Sequence, residues 1–255
     1  MLNNIRVDFQ RMFLSKVVLY TVFLAAVFIP VGFEAIMVLL DSVMNMDIAV
    51  SLTDFSNYST MAPFILAVLI TVYLHGEAGE GIVRNKIISG KKRYQIVLSY
   101  CIVTAVMAAA IQVVSVLATP IVPLIAGKAF EVTVSEVIRF TWVSTLAGVS
   151  ISVIYTALFL CFCTRELSVG IPAALAILSK IVLIVVTDAL YTSSGVPKVS
   201  GFTLETYVAI DRFVPFSHLA GDLRWDDASY IIGNLAFVII FAIAGIIVIN
   251  KKDLK

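Results

Sequence analysis

Residues 95–126 read QIVLSYCIVTAVMAAAIQVVSVLATPIVPLIA, thirty-two positions without one charged side chain. A membrane helix needs about 20 mostly apolar residues, because the hydrocarbon core is roughly 30 Å thick and a helix rises 1.5 Å per residue. This stretch exceeds that length. Pro120 and Pro123 stand near its end, where a ring without an N–H kinks or stops a helix. The rest of the chain repeats the pattern. Sixty per cent of the 255 residues are hydrophobic and 14% are charged, against about 45–50% and 25% in soluble domains. So much apolar surface faces lipid rather than water, and disorder is excluded.

Six segments qualify as spans: Val17–Leu40, Thr60–Leu74, Gln95–Ala126, Glu136–Cys163, Leu167–Leu190 and Tyr230–Asn250. The second is the shortest, so it borrows residues from the preceding loop or sits in thinned bilayer. The expectation is an all-α polytopic membrane protein forming a single transmembrane domain over residues 1–255. Its first apolar run is expected to remain as a span rather than be cleaved.

Orientation follows from the cations. With both termini inside, twelve Lys and Arg fall in inner segments, five in outer segments, and Lys180 within the fifth span. The acids do the opposite, five inside and twelve outside or near the outer ends. This positive-inside bias favours an N-in/C-in topology. Before the first span, Ile5, Phe9, Met12 and Phe13 share a helical face, while Arg6, Asp8, Gln10 and Arg11 fall mostly elsewhere. That pattern suits an amphipathic helix over residues 1–16, lying along the inner surface. The outer loop 191–229 carries FTLETYVAIDRFVPFSHLAGDLRW, too apolar for a plain solvated linker, and is expected to form short helices at the outer leaflet.

Several chemistries are missing their residues. Gly76 and Gly81 have the P-loop spacing, but Ile82 and Val83 follow where Lys and Ser/Thr must stand. His75 and His218 fall on opposite sides of the membrane, and Cys161 and Cys163 have no further ligand nearby, which leaves no metal or cofactor site and no enzyme. The near-neutral net charge gives no bias toward nucleic acid. Intramembrane charge is rare and invites a functional reading; Glu34 and Lys180 are the two conspicuous cases. Lys180 either pairs with Glu34, snorkels to the interface or serves transport.

The inner loop 75–94, HGEAGEGIVRNKIISGKKRY, mixes acids, glycines and apolar pairs with its cations. Anchoring accounts for the cations alone. Apolar residues flanked by charges suggest a short helix that docks on another protein.

The run Glu77-x-x-x-Gly81-Ile82-Val83-Arg84-Asn85-Lys86-Ile87, followed by Ser89-Gly90-Lys91 and Arg93, resembles the segment after the second span of ABC-two exporter permeases, which carry a Glu, a Gly-Thr-Ile-Arg-Asn-Lys-like core and a Gly before a basic residue. Ile82 departs from the frequent Thr. Arg212-Phe213-Val214-Pro215-Phe216-Ser217-His218 resembles the family's Phe-x-Pro-Phe segment, and Asn250-Lys251-Lys252-Asp253-Leu254-Lys255 its short basic tail. The resemblance implies a bacterial plasma-membrane permease without its own ATPase. A separate nucleotide-binding subunit, carrying ATP and Mg²⁺, would dock on residues 75–94, and a second permease chain, identical or related, would complete the path. Glu77, Gly81, Arg84, Asn85 and Lys86 become the ATPase-coupling residues, with Glu77 preferred over Glu80 on spacing. Peptides, drugs or lipid-like molecules become the substrate classes. The competing reading is a secondary transporter or channel, which predicts inverted repeats and polar groups at the midplane.

Overall fold

The computed structural model describes residues 2–14, 16–44, 49–79, 81–162, 167–191, 197–219 and 223–251. Every element among them is helical apart from one isolated bridge between Val50 and Phe130. Six helical stretches are long and apolar enough to cross a membrane: Ala26–Met44, Asp54–Glu77, Arg93–Ile125, Val134–Cys161, Gly170–Leu190 and Asp227–Lys251. The chain is thus an all-α protein with the build of a multi-pass membrane protein. Glu80, Cys163 and the tail 252–255, which entered the expectations above, lie outside the described residues.

The N-terminal helix α1 (Leu2–Leu14) is followed by α2 (Lys16–Phe23), a π-helical turn (Leu24–Phe28) and α3 (Ile29–Met44). The π turn has a local cause. Pro30 has no N–H to donate, and its ring would press on the carbonyl four residues back. A wider turn, closed by Ile29 N–H donating to the Leu24 carbonyl, relieves that crowding. Helix α3 carries the first span past Leu40 to Met44.

The second span solves its shortness by borrowing. Helix α4 (Leu52–Ser59) opens with a capping box in which the Ser51 N–H donates to Asp54 Oδ2 at 2.7 Å. After a turn, α5 (Ala62–Gly79) continues beyond Leu74, so His75–Gly79 are helix rather than loop. Helix α6 (Ile82–Ile88) follows at once. Helix α7 (Arg93–Ala118) stops before Pro120, and a one-turn α8 (Ile121–Ile125) completes the third span.

Helices α9 (Val134–Phe162), α10 (Leu167–Leu190) and α12 (Asp227–Lys251) are the last three spans. The stretch 191–229 holds α11 (Gly201–Phe213) and a 3₁₀ turn, Ser217–Leu219, short helices of the kind its apolar content led one to expect. Helix α9 is the hub, packed by α5, α7 and α12. Small residues let backbones approach there, as membrane helices require in the absence of a water-driven hydrophobic effect. Gly245 lies against Ala157, and Gly148 lies against Gln112. Thr104 and Thr156 hydroxyls meet at 2.9 Å, Gln112 Nε2 donates to the Ser144 carbonyl at 3.3 Å, and Ser150 Oγ donates to the Asn234 carbonyl at 3.2 Å.

Two ends of the bundle result. Arg93 Nη1 donates to the Ile249 and Asn250 carbonyls at 2.8 and 3.1 Å, capping α12 with a cation where its carbonyls lack partners. That brings the end of α12 beside the start of α7. The acid-rich segments meet at the opposite end, where Lys128 pairs with Asp41, Arg139 with Asp227 and Arg212 with Asp226.

Candidate functional site

At the cation-rich end, four elements converge on one ammonium group. Lys86 of α6 donates to Asp8 Oδ1 of α1 at 2.7 Å, to Glu77 Oε2 of α5 at 3.2 Å and to the Tyr100 hydroxyl of α7 at 3.0 Å. All three of its N–H donors are used. Tyr100 donates onward to Glu77 at 3.0 Å, and Ser99 Oγ donates to Asp8 Oδ2 at 2.6 Å. The Arg11 guanidinium reaches Glu77 Oε1 at 3.9 Å from the surface. Lys86 also stands 4.3 Å from the centre of the Tyr100 ring, a favourable face for a cation. Two acids face two bases, so the cluster closes near neutrality.

Burial gives the cluster its weight. Asp8, Glu77 and Lys86 are 1%, 5% and 7% exposed. A buried ion survives only where partners replace its water. Here each carboxylate has at least two donors and the ammonium has three acceptors.

Two of the residues expected to couple to an ATPase, Glu77 and Lys86, turn inward and bond within the chain. Arg84 and Asn85 are exposed on the opposite side of α6, with Ile88 beside them. A seven-residue helix cannot bury all its faces, and the single basic residue with two buried acids within reach is the one drawn inside. Gly81 holds the left-handed conformation at φ 67° that starts α6, and Gly90 holds another at φ 84° that ends it. Around Gly90, Lys91 N–H donates to the Lys86 carbonyl and Gly90 N–H to that of Ile87, the two bonds of a Schellman stop.

Asp8 was missed in the sequence, where it falls on the polar face of α1. That face does not lie wholly outward: Asp8 and Met12 are both buried, while Arg6, Gln10 and Arg11 are exposed. The side chain of Phe13 lies outside the described residues. An acid one turn before Met12 on the same face was the available signal.

The intramembrane pair expected between Lys180 and Glu34 is not formed. Lys180 Nζ donates to the Thr60 hydroxyl at 2.9 Å, and Glu34 is buried on α3. Topology decides this: α10 packs on α5, whose start is beside Thr60, whereas α3 packs on α4 and α8.

The opposite end carries a second polar cluster. Asp211 Oδ2 accepts from the Tyr191 hydroxyl at 2.6 Å and from Trp225 Nε1 at 2.9 Å. His218 sits 2% exposed between the Arg212 carbonyl, 3.1 Å from Nε2, and Asn234 Nδ2, 2.8 Å from Nδ1. Asn234 Nδ2 also donates to the Tyr230 carbonyl at 2.8 Å, which fixes the amide orientation and makes Nδ1 an acceptor. The ring is therefore neutral, with its proton on Nε2. Burial holds it well below the usual imidazole range, at about 4, against the opposing pull of the Arg212 carbonyl and Asp211. An unfolded His takes up a proton near pH 6.5, before the folded one does. His218 thus imposes no cost above pH 6.5, and stability falls as pH drops from there toward 4, by about 3 kcal/mol in all. Unfolding midpoints in detergent should decline over that window in the wild type and less steeply in His218→Gln. Equal slopes in both would remove His218 from this role.

No family model matches the chain, and no curated protein sequence matches it.

Proposed function

We propose that this chain is the permease subunit of an ATP-driven exporter in a bacterial plasma membrane, with both termini and α6 on the cytoplasmic side. The observation that carries the reading is the build of α6. It is a short helix bounded by two left-handed glycines, anchored inward through Lys86 and presenting Arg84, Asn85 and Ile88 outward at the cation-rich end. A separate ATPase, holding ATP and Mg²⁺, would dock on that outward face. A second permease chain would pair with this one.

The network supplies a route for force. A push on α6 moves Lys86, and Lys86 is bonded to α1, α5 and α7 together. Those helices then shift as a unit between two packings, of which ATP binding favours one. Transport by a chain that works alone, as a secondary carrier or channel, has less support. Thr104, Gln112, Thr156 and Asn234 are fully buried between helices rather than spread along a cavity.

Arg84 is the test. Its side chain is exposed, so Arg84→Ala should fold as the wild type does. An interface arginine removed from such a contact costs about 2 kcal/mol, so the variant should retain an ATPase roughly thirtyfold less well, and substrate-stimulated ATP hydrolysis should fall with it. Gentle extraction of the tagged chain and assay of co-purified ATPase measures both. A wild-type chain that never carries an ATPase would refute the exporter reading.

A further inference from the structure

Between α10, α11 and α12 lies a cavity of about 330 Å³. Leu178, Val182 and Val186 of α10 line one side, Ile210 and Val214 of the outer loop another, and Phe237 of α12 the third. The two serines in its wall are satisfied locally: Ser179 Oγ donates to the Ala176 carbonyl at 2.8 Å and Ser217 Oγ to the Asp211 carbonyl at 2.8 Å. Both hydroxyl protons are thus committed to the chain, and apolar cavities stay dry. Leu178 and Val182 are 57% and 44% exposed, so the cavity opens sideways onto the surface that lipid covers.

Its shape selects the occupant. The α10 wall, from Leu175 to Val186, is about 16 Å long at helical rise. A long, narrow apolar cavity of this kind suits a single slender apolar chain.

A charge stands at its edge. Ser179, Leu183 and Phe216 belong to this cavity and also to a small neighbouring pocket that contains Lys180 and Thr60. Among the described residues, Lys180 has the neutral Thr60 hydroxyl as its hydrogen-bond acceptor and no carboxylate in ion-pairing range. A cation at a lipid-facing site is costly without a counter-charge. Depth is suitable for one. Thr60 lies about 26 Å from Glu77 at 1.5 Å per residue, near the far limit of a roughly 30 Å core.

We propose that this groove binds an anionic phospholipid of the adjoining leaflet, with one acyl chain in the α10–α11–α12 cavity and its phosphate on Lys180 and Thr60. Binding would occur whether or not an ATPase is engaged.

Native mass spectrometry of the purified, delipidated full chain tests the assignment, with phosphatidylglycerol and phosphatidylcholine of identical chains as probes. The wild type should retain one phosphatidylglycerol with a roughly fivefold preference, the scale of a partly exposed ion pair. Lys180→Met should abolish the preference while leaving phosphatidylcholine retention unchanged. Val182→Trp, or Leu178→Trp should the first fail to elute as the wild type does, fills the groove and should weaken both lipids severalfold. Equal retention of the two lipids by the wild type overturns the proposal, as does unchanged retention in the filled-groove variant. Displacement of phosphatidylglycerol by excess inorganic phosphate would mark a free-anion site and overturn it as well.

Discussion

Lys86→Met should destabilise the chain by about 3–5 kcal/mol, the penalty for leaving buried charge uncompensated. Removing the ammonium strands Asp8 and Glu77 beside each other. Each keeps a hydroxyl donor, from Ser99 and Tyr100, but only Arg11 at 3.9 Å remains as a cation, and its side chain is 46% exposed. Four elements lose their common tie, so α1 should detach from α6 and α7 first. The triple variant Asp8→Asn, Glu77→Gln, Lys86→Met removes all the charges at once and should recover much of the loss, because pairs that share one network are not additive. Denaturant unfolding in mixed micelles compares the three proteins. If Lys86→Met unfolds at the wild-type midpoint, the cluster is not holding these helices. If the triple variant is as unstable as the single one, the loss is of packing and not of charge balance.

The second large effect is at the other end. A methyl group on Gly233 would lie 2.4 Å from the Phe213 carbonyl oxygen and 2.9 Å from Phe213 Cα. Both are backbone atoms at the end of α11, so no rotamer change relieves the overlap. Gly233→Ala must push α11 off α12, and overpacking of this kind costs about 1–3 kcal/mol or more. The displacement would strain contacts that cross the same junction: Arg212 Nε to Ser229 Oγ at 2.8 Å, and Asn234 to His218. Gly32→Ala is the internal control. It meets nothing within 4 Å, and alanine is about 1 kcal/mol better than glycine inside a helix. Thermal unfolding should therefore fall in Gly233→Ala and hold or rise in Gly32→Ala. Trp225 fluorescence should shift in the first variant only, since its indole N–H is bonded to Asp211 of α11. A Gly233→Ala protein with wild-type stability would mean that α11 docks elsewhere.

The same tension between local signal and long-range contact runs through the molecule. Length and hydropathy are summed along the chain, so six spans were legible at once, and α10 begins and ends where expected. Prolines act on their own neighbours, and the stops at Pro120 and the turn before Pro30 follow from ring geometry alone. The glycines at 81 and 90 frame a short helix for the same reason.

What the sequence by itself determined was therefore everything governed by local backbone chemistry and by the need to keep apolar surface from water: the all-α class, the span count, and a short helix after the second span. Only the tertiary structure decided which charges face inward. Lys86 lies 78 residues from Asp8 and 9 from Glu77, and neither spacing announces the pairing. Coulomb attraction depends on distance in space, and in a low-dielectric interior it commits a side chain to whichever partner the packing brings near. Lys180 shows the same rule: it stands by Thr60 rather than by Glu34, because α10 packs on α5.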